Sequence, residues 1–285
     1  MRMCVLGSGS SGNCTIVRVG GSALMIDAGL GPRTAARRLG ATRAVVGEVG
    51  AILLTHLDCD HFKPTWFATI HKQSIRVHVH RRHLDAFYRI EESEARKLRR
   101  SGLLVEFGDQ PFPLIMHDRE IAAVRPVRGP HDRDGVVSFR LTTSAGRLAF
   151  ATDLGRADHD GLIDAMTDVD VLAIESNYDP PMQLASPRPI FLKRRIMGGR
   201  GHLSNEQAFA AVCAALDRSK HPPSHVVLLH LSRQCNCPKL VRRLFAAHPK
   251  VADRLCISSQ SEPTPWLHVR RSAEPAAAEQ MLMFA

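Results

Sequence analysis

Several apolar runs in this chain stop on a residue able to ligate a metal. AILLTH ends on His56, and Asp58, Asp60 and His61 follow it in THLDCDH; RLAFATD ends on Asp153, and VVLLH on His230. His131 lies in RGPHD, on a loop after another apolar stretch. Short apolar runs bounded by polar loops read as buried strands. Strand ends are rigid platforms, so donors placed there keep a fixed geometry. A single H-x-x-x-D-H is a modest signal in a chain with 15 histidines. Separate segments, each delivering a donor where a strand stops, are a much stronger one.

The remaining pattern suits that architecture. MCVLGSG and TIVRVGGSALMIDAG read as two opening strands, the second running to Asp27, and SIRVHVH as another. IAAVRPV, GVVSFRLTT, GRLAFATD, DVLAIES and HVVLLHLS read as later strands. Helices fit GPRTAARRLG, the highly charged residues 83 to 100, NEQAFAAVCAALDR and PKLVRRLFAAH. Ser204 and Gln207 have the spacing of a capping box. Two runs of strands, each followed by helices, predict an α/β fold built as a four-layer αβ/βα sandwich. It is expected to span residues 1–261, with a loose tail from 262 to 285, where Pro, Ala, Ser and Glu take over.

At 285 residues the chain fits one large α/β sandwich or two smaller domains. No stretch approaches the ~20 apolar residues of a membrane span. The opening MRMCVLGSGSSGN has too short an apolar run for a signal peptide. Seven scattered cysteines then read as reduced thiols of a cytoplasmic protein, with Cys59 a buried non-ligand. The formal charge of +10 favours an anionic partner such as nucleic acid, although a basic host proteome gives the same sign. Aromatics make up only 5%, which favours contact with a nucleic-acid backbone over rows of stacked bases.

THLDCDH, His131, FATD and LLHLS together resemble the metallo-β-lactamase fold hydrolases, whose usual motif is H-x-H-x-D-H. LGSGSSGN, MIDAGL, IESNYD, PIFLKRRIMGGRGHLSN and HLSRQCNCP extend the similarity to the YycJ/WalJ-like branch, over most of the chain. The resemblance implies two divalent metal ions, zinc or manganese, and a phosphodiesterase described in that branch as a 5′-to-3′ exonuclease on DNA. It does not imply lactam hydrolysis, since a fold does not carry a substrate. Carried over position by position, one metal site would hold His56, residue 58 and His131. The other would hold Asp60, His61 and His230, with Asp153 bridging. Asp58 stands where the family has histidine. A carboxylate ligand there would favour harder ions such as manganese; a shorter reach would leave it acting through water.

Two metal ions about 3.5–4 Å apart can hold a hydroxide at neutral pH and polarise the phosphoryl oxygen. Displacement then needs cations for the phosphate oxygens and a proton for the leaving group. Asp60 and His202 are the candidate catalytic residues; His202 would touch phosphate or protonate the leaving oxygen, or else fix its loop. Lys193, Arg194 and Arg195 are candidates for a phosphate clamp, or an ordinary solvated basic face. Asn177 ends a strand and is placed to orient a ligand or phosphate. In GSGSSGN, Ser10, Ser11 and Asn13 either cradle phosphate through backbone amides or form a plain turn.

The tail carries QMLMF, in which Gln280, Met281, Met283 and Phe284 are similar to the pentapeptide by which bacterial repair and replication proteins dock on the sliding clamp. A terminal apolar helix or a chance match is the alternative. Three functions compete: a nuclease, acting on DNA rather than RNA; a small-molecule phosphodiesterase or ester hydrolase of the same fold; and a metal-poor DNA-binding adaptor whose Asp58 marks a decayed site. Six other retained donor positions argue against decay.

Overall fold

A computed structural model describes residues 1–42, 46–116 and 118–269. Among them, two seven-stranded sheets face each other. The first comprises β1 (Arg2–Gly7), β2 (Cys14–Val19), β3 (Ser22–Ile26), β4 (Val49–Leu53), β5 (Arg76–His80), β6 (Leu104–Phe107) and, beside β1, β14 (Leu267–His268). The second runs β7 (Phe112–Met116), β8 (Arg119–Gly129), β9 (Val136–Thr143), β10 (Gly146–Ala151), β11 (Val171–Glu175), β12 (His225–Leu229) and β13 (Leu255–Ile257). Each sheet is antiparallel where short turns join its strands and parallel where helices cross over, as the chain's reach requires.

Helices α1 (Pro32–Ala41), α2 (Phe67–Gln73), α3 (Leu84–Ile90) and α4 (Glu92–Arg100) cover the outer face of the first sheet. On the second sheet, α5 (Asp160–Met166), α8 (Asn205–Arg218) and α9 (Pro238–Ala246) do the same. A third core, including Val5, Leu24, Leu53, Phe139, Ala173 and Leu229, lies between the sheets. The expected αβ/βα sandwich is therefore the observed fold. Between β11 and α8 the chain inserts α6 (Pro180–Ala185) and α7 (Ile190–Met197), packed on a small cluster of Tyr178, Ile196 and Cys235. No helix among the described residues is long and apolar enough to cross a membrane.

Local structure departs from the expected elements at four places. The long opening strand is a hairpin, β2–β3: Val19 pairs with Ser22, and Gly20, at φ 59°, supplies the backbone that a two-residue hairpin turn requires. The charged segment 83–100 is two helices, because Glu91 is extended (φ −161°, ψ 95°); Phe87, Ala95 and Leu98 form its buried side. Cys59 is exposed rather than buried, since it rides the outside of a tight turn in which the His61 amide donates to the Asp58 carbonyl at 2.8 Å.

The fourth is the end of the sandwich. Thr264 is buried and accepts from the Val5 amide at 3.0 Å, Trp266 Nε1 donates to the Thr42 carbonyl, and β14 pairs with β1. A tail starting at 262 thus begins too early. Composition is polar there, yet strand pairing needs only a few residues. The clamp-like pentapeptide, Gln280 to Phe284, lies outside the described residues. The capping box is present: Ser204 accepts from the Gln207 amide, and Gln207 Oε1 from that of Ser204.

Candidate metal centre

The C-terminal ends of β3, β4, β8, β10, β11 and β12 gather at one edge of the sandwich, and each is followed by a residue of the cluster. Open α/β sheets bind ligands at such ends. Asp27, Asp153 and His230, immediately or almost immediately past β3, β10 and β12, adopt left-handed backbone (φ 59°, 53° and 56°). Non-glycine residues take that region at some cost. Here it turns each side chain out of the strand direction.

The motif loop after β4 is pinned on both sides. Phe62 is buried against Phe67 and Phe87. The Ala28 amide donates to the His61 carbonyl at 2.7 Å and that of Asn13 to the Asp60 carbonyl at 2.7 Å. Gly29 lies so close that a Cβ there would run into the Asp60 carbonyl.

The expected donors fall in two groups, each with its donor atoms mutually within 4.8 Å: His56, His131 and Asp153, and Asp60, His61 and His230; a further group of the same kind joins Asp153 and His230 to Glu175 and His202. Asp153 touches the second group as well, with Oδ2 3.0 Å from His61 Nε2 and Oδ1 3.4 Å from His230 Nε2. His230 Nε2 and Asp60 Oδ2 are 3.6 Å apart. His56 Nε2 and His230 Nε2 are buried without a hydrogen-bond partner. An orphaned buried polar atom costs about 1–3 kcal/mol, and a cation among these nitrogens and carboxylates would satisfy both. The residues therefore fit divalent metal.

Burial holds His56 well below the usual imidazole range, reinforced by the neighbouring His61, which leaves a neutral ring of the kind a metal requires. Burial pushes the Asp153 carboxyl up, but His230 and His61 outweigh it and hold the group well below the carboxylate range. Asp58 sits at the rim, its carboxylate 3.7 Å from His56 Nε2 with the side chain about half exposed. It groups with His131 and Asp132, and burial raises its pKa.

Behind these donors lies a set of orienting groups. Asp27, fully buried, accepts from His61 Nδ1 at 2.8 Å and from the Thr55 amide and hydroxyl, which presents His61 Nε2 to the centre. The Gly201 carbonyl does the same for His131 Nδ1 at 2.9 Å. Asn177 Nδ2 meets the His230 ring and donates to its carbonyl at 2.8 Å. Glu175, also fully buried, accepts from the Leu154 amide at 2.7 Å and faces His202 Nδ1 at 2.6 Å. Burial works against a charged His202, yet Glu175 and Asp153 raise it to about 9.

Sequence reasoning passed over Asp27 and Glu175 as site residues, although each is a carboxylate at the end of an apolar run, the same signal that marks Asp153.

The expected substrate residues divide. Ser10, Asn177, His202 and Arg195 line a cleft of about 400 Å³ over the cluster, together with His131, Asp132 and Arg188. Arg195 is ion-paired with Asp132. Arg188, which no sequence signal singled out, reaches Gln234, Gln183 and Ser232. Lys193 turns the other way, to the Leu184 carbonyl, and Arg194 lines a neighbouring cleft. Ser11 bonds Gln260 at an exposed position. Asn13 is buried with Nδ2 on Asp60 and His61, while its Oδ1 accepts from the Gly9 amide; it braces the motif loop.

Residues 23–231 match the family model described as a beta-lactamase superfamily domain. The exodeoxyribonuclease YycJ of Bacillus anthracis is 26% identical over 246 residues, covering 85% of this chain and 86% of that protein. The exodeoxyribonuclease WalJ of Streptococcus pneumoniae is 26% identical over 255 residues, covering 87% and 88%. Among solved structures, the metallo-β-lactamase fold protein YhfI from Bacillus subtilis is similar with a TM-score of 0.62 and 15% identity, over 92% of this chain and 98% of that one.

Proposed function

The chain belongs to the beta-lactamase superfamily of metallo-β-lactamase fold hydrolases, and from that premise we propose that it is a phosphodiesterase with two divalent metal ions that degrades DNA from the 5′ end. The observation that carries the reading is the pair of three-donor groups joined through Asp153, with imidazole nitrogens buried and unpartnered between them. The DNA substrate comes from the likeness to the two exodeoxyribonucleases and from the chain's +10 charge, and the direction from the motifs that resemble the YycJ/WalJ-like branch. The seven cysteines, none of them paired in a disulfide, suit a cytoplasmic setting.

In this reading His56, Asp58 and His131 would hold one ion and Asp60, His61 and His230 the other, with Asp153 placed to serve both. The ions, when bound, supply a nucleophile from water at neutral pH and polarise the phosphoryl group. Asp58 brings a third carboxylate, and more oxygen with less imidazole favours manganese over zinc. Asp60, less buried than the other donors of its group, also accepts a proton from the attacking water. Arg195 and Arg188 stand on the cleft wall to meet phosphate oxygens. His202, with Nδ1 held by Glu175, offers Nε2–H to the leaving 3′ oxygen. Asn177 and Asn13 position His230 and Asp60.

Metal analysis after dialysis against manganese or zinc tests the centre. Two ions per chain are expected, falling to one or fewer in Asp153→Asn. Equal ion content in the two proteins would overturn the assignment of Asp153 as the shared ligand.

A further inference from the structure

Beside the metal centre lies a second, larger cleft of about 560 Å³, which begins at His131 and Asp132 and continues along the β8–β9 loop. His131 and Asp132 line both clefts, so a chain leaving the metal centre on that side enters it directly. Five arginines and three aspartates line this second cleft, and half of those side chains are already matched. Asp132 is held by Arg195, Asp158 pairs with Arg156 at 2.9 Å, and Arg128 pairs with Asp109 at 2.8 Å. Arg82, Arg133, Arg200 and Asp134 remain, with no side-chain ion pair or side-chain hydrogen bond to the described residues, an excess of positive charge. Arg133 and Arg200 also line the adjoining groove of Arg194 and Arg195, so these two unmatched cations form a strip shared by both clefts.

We infer that this strip, centred on Arg133 and Arg200, is a track for a single nucleic-acid strand that feeds the metal centre. The inference rests on the nuclease reading and adds where the rest of the polymer lies. Its chemistry specifies the mode of binding. No Phe, Tyr or Trp lines the cleft, and His80, His83 and His131 of its wall are buried, so its described walls offer few of the stacking platforms of base-binding grooves. Guanidinium groups instead meet successive phosphates, which gives binding that is indifferent to sequence and steeply dependent on salt.

Fluorescence anisotropy with labelled single-stranded oligonucleotides of increasing length, in a series of salt concentrations, tests the track, alongside digestion of the same oligonucleotides. For the wild type, affinity is expected to rise with length until the track is filled. In Arg133→Ala/Arg200→Ala that rise flattens, and the slope of log affinity against log salt becomes shallower by about 1.4, the value for two lost phosphate contacts on a single strand. Arg133→Lys/Arg200→Lys, which keeps the charge, retains most of the slope. Arg243→Ala on α9, outside both clefts, behaves as wild type. A wild type that digests DNA while the alanine pair keeps full length dependence and slope overturns the track alone. A wild type that neither binds nor digests DNA overturns the nuclease reading with it.

Discussion

Replacing Glu175 by glutamine is expected to slow turnover roughly thirtyfold while leaving metal content intact. Glu175 Oε2 accepts from the Leu154 amide at 2.7 Å and lies 3.4 Å from that of Leu203; the carbonyl of glutamine can keep both. What changes is Oε1, which faces His202 Nδ1 at 2.6 Å. An amide NH2 there is a donor, so Nδ1 must give up its proton to accept, and His202 loses the nearer of its two counter-charges, with Asp153 Oδ1 left at 3.4 Å. A hydrogen bond to a charged group contributes about 1.5–3 kcal/mol, and about 2 kcal/mol in the barrier corresponds to the thirtyfold loss. Initial rates on labelled DNA at saturating metal measure it, with ion content and thermal melting recorded on the same samples. A kcat within threefold of wild type, with fold and metal retained, would refute the role given to the His202–Glu175 pair. Loss of an ion would show that Glu175 is itself a ligand.

Three further perturbations follow from the same geometry. Asp27→Asn leaves His61 Nδ1 without its carboxylate, and metal affinity measured by competition with a chelator should fall about 10–100-fold; unchanged affinity would contradict the orienting role. Asp58→His should shift preference from manganese towards zinc, read from activity with each ion in turn, because imidazole replaces carboxylate. His78 is buried with both ring nitrogens unpartnered, and burial, with Arg76 nearby, lowers its pKa from 6.5 to about 4. The unfolded chain binds that proton first, so the fold loses stability as pH falls from about 6.5 to about 4, by up to about 3 kcal/mol. Urea unfolding of His78→Leu should lack that part of the acid dependence.

The clustering of the proposed donors was legible because His56, Asp153 and His230 stand where apolar runs stop, and a strand end is a place that sequence reveals. The side chains that aim the donors were not. Asp27 and Glu175 sit at strand ends too, but nothing in the sequence separates a carboxylate that would hold a cation from one that holds an imidazole. Helix direction was equally hidden. Lys193, Arg194 and Arg195 are consecutive on α7, so at 3.6 residues per turn they point in different directions, and only Arg195 reaches the cleft over the cluster. Arg188 reaches it from the turn before α7, with no motif to mark it. The β2–β3 hairpin was hidden by the strong β-propensity on both sides of Gly20, and the pairing of β14 by the polar segment that precedes it.

The central claim is that the clustered donors make a metal-dependent nuclease, and digestion of 5′-labelled linear DNA by metal-stripped protein tests it most directly. Addition of manganese or zinc should restore release of the labelled 5′ nucleotide, and Asp153→Asn should stay inactive with either ion. No release from wild-type protein with manganese or with zinc would contradict the account.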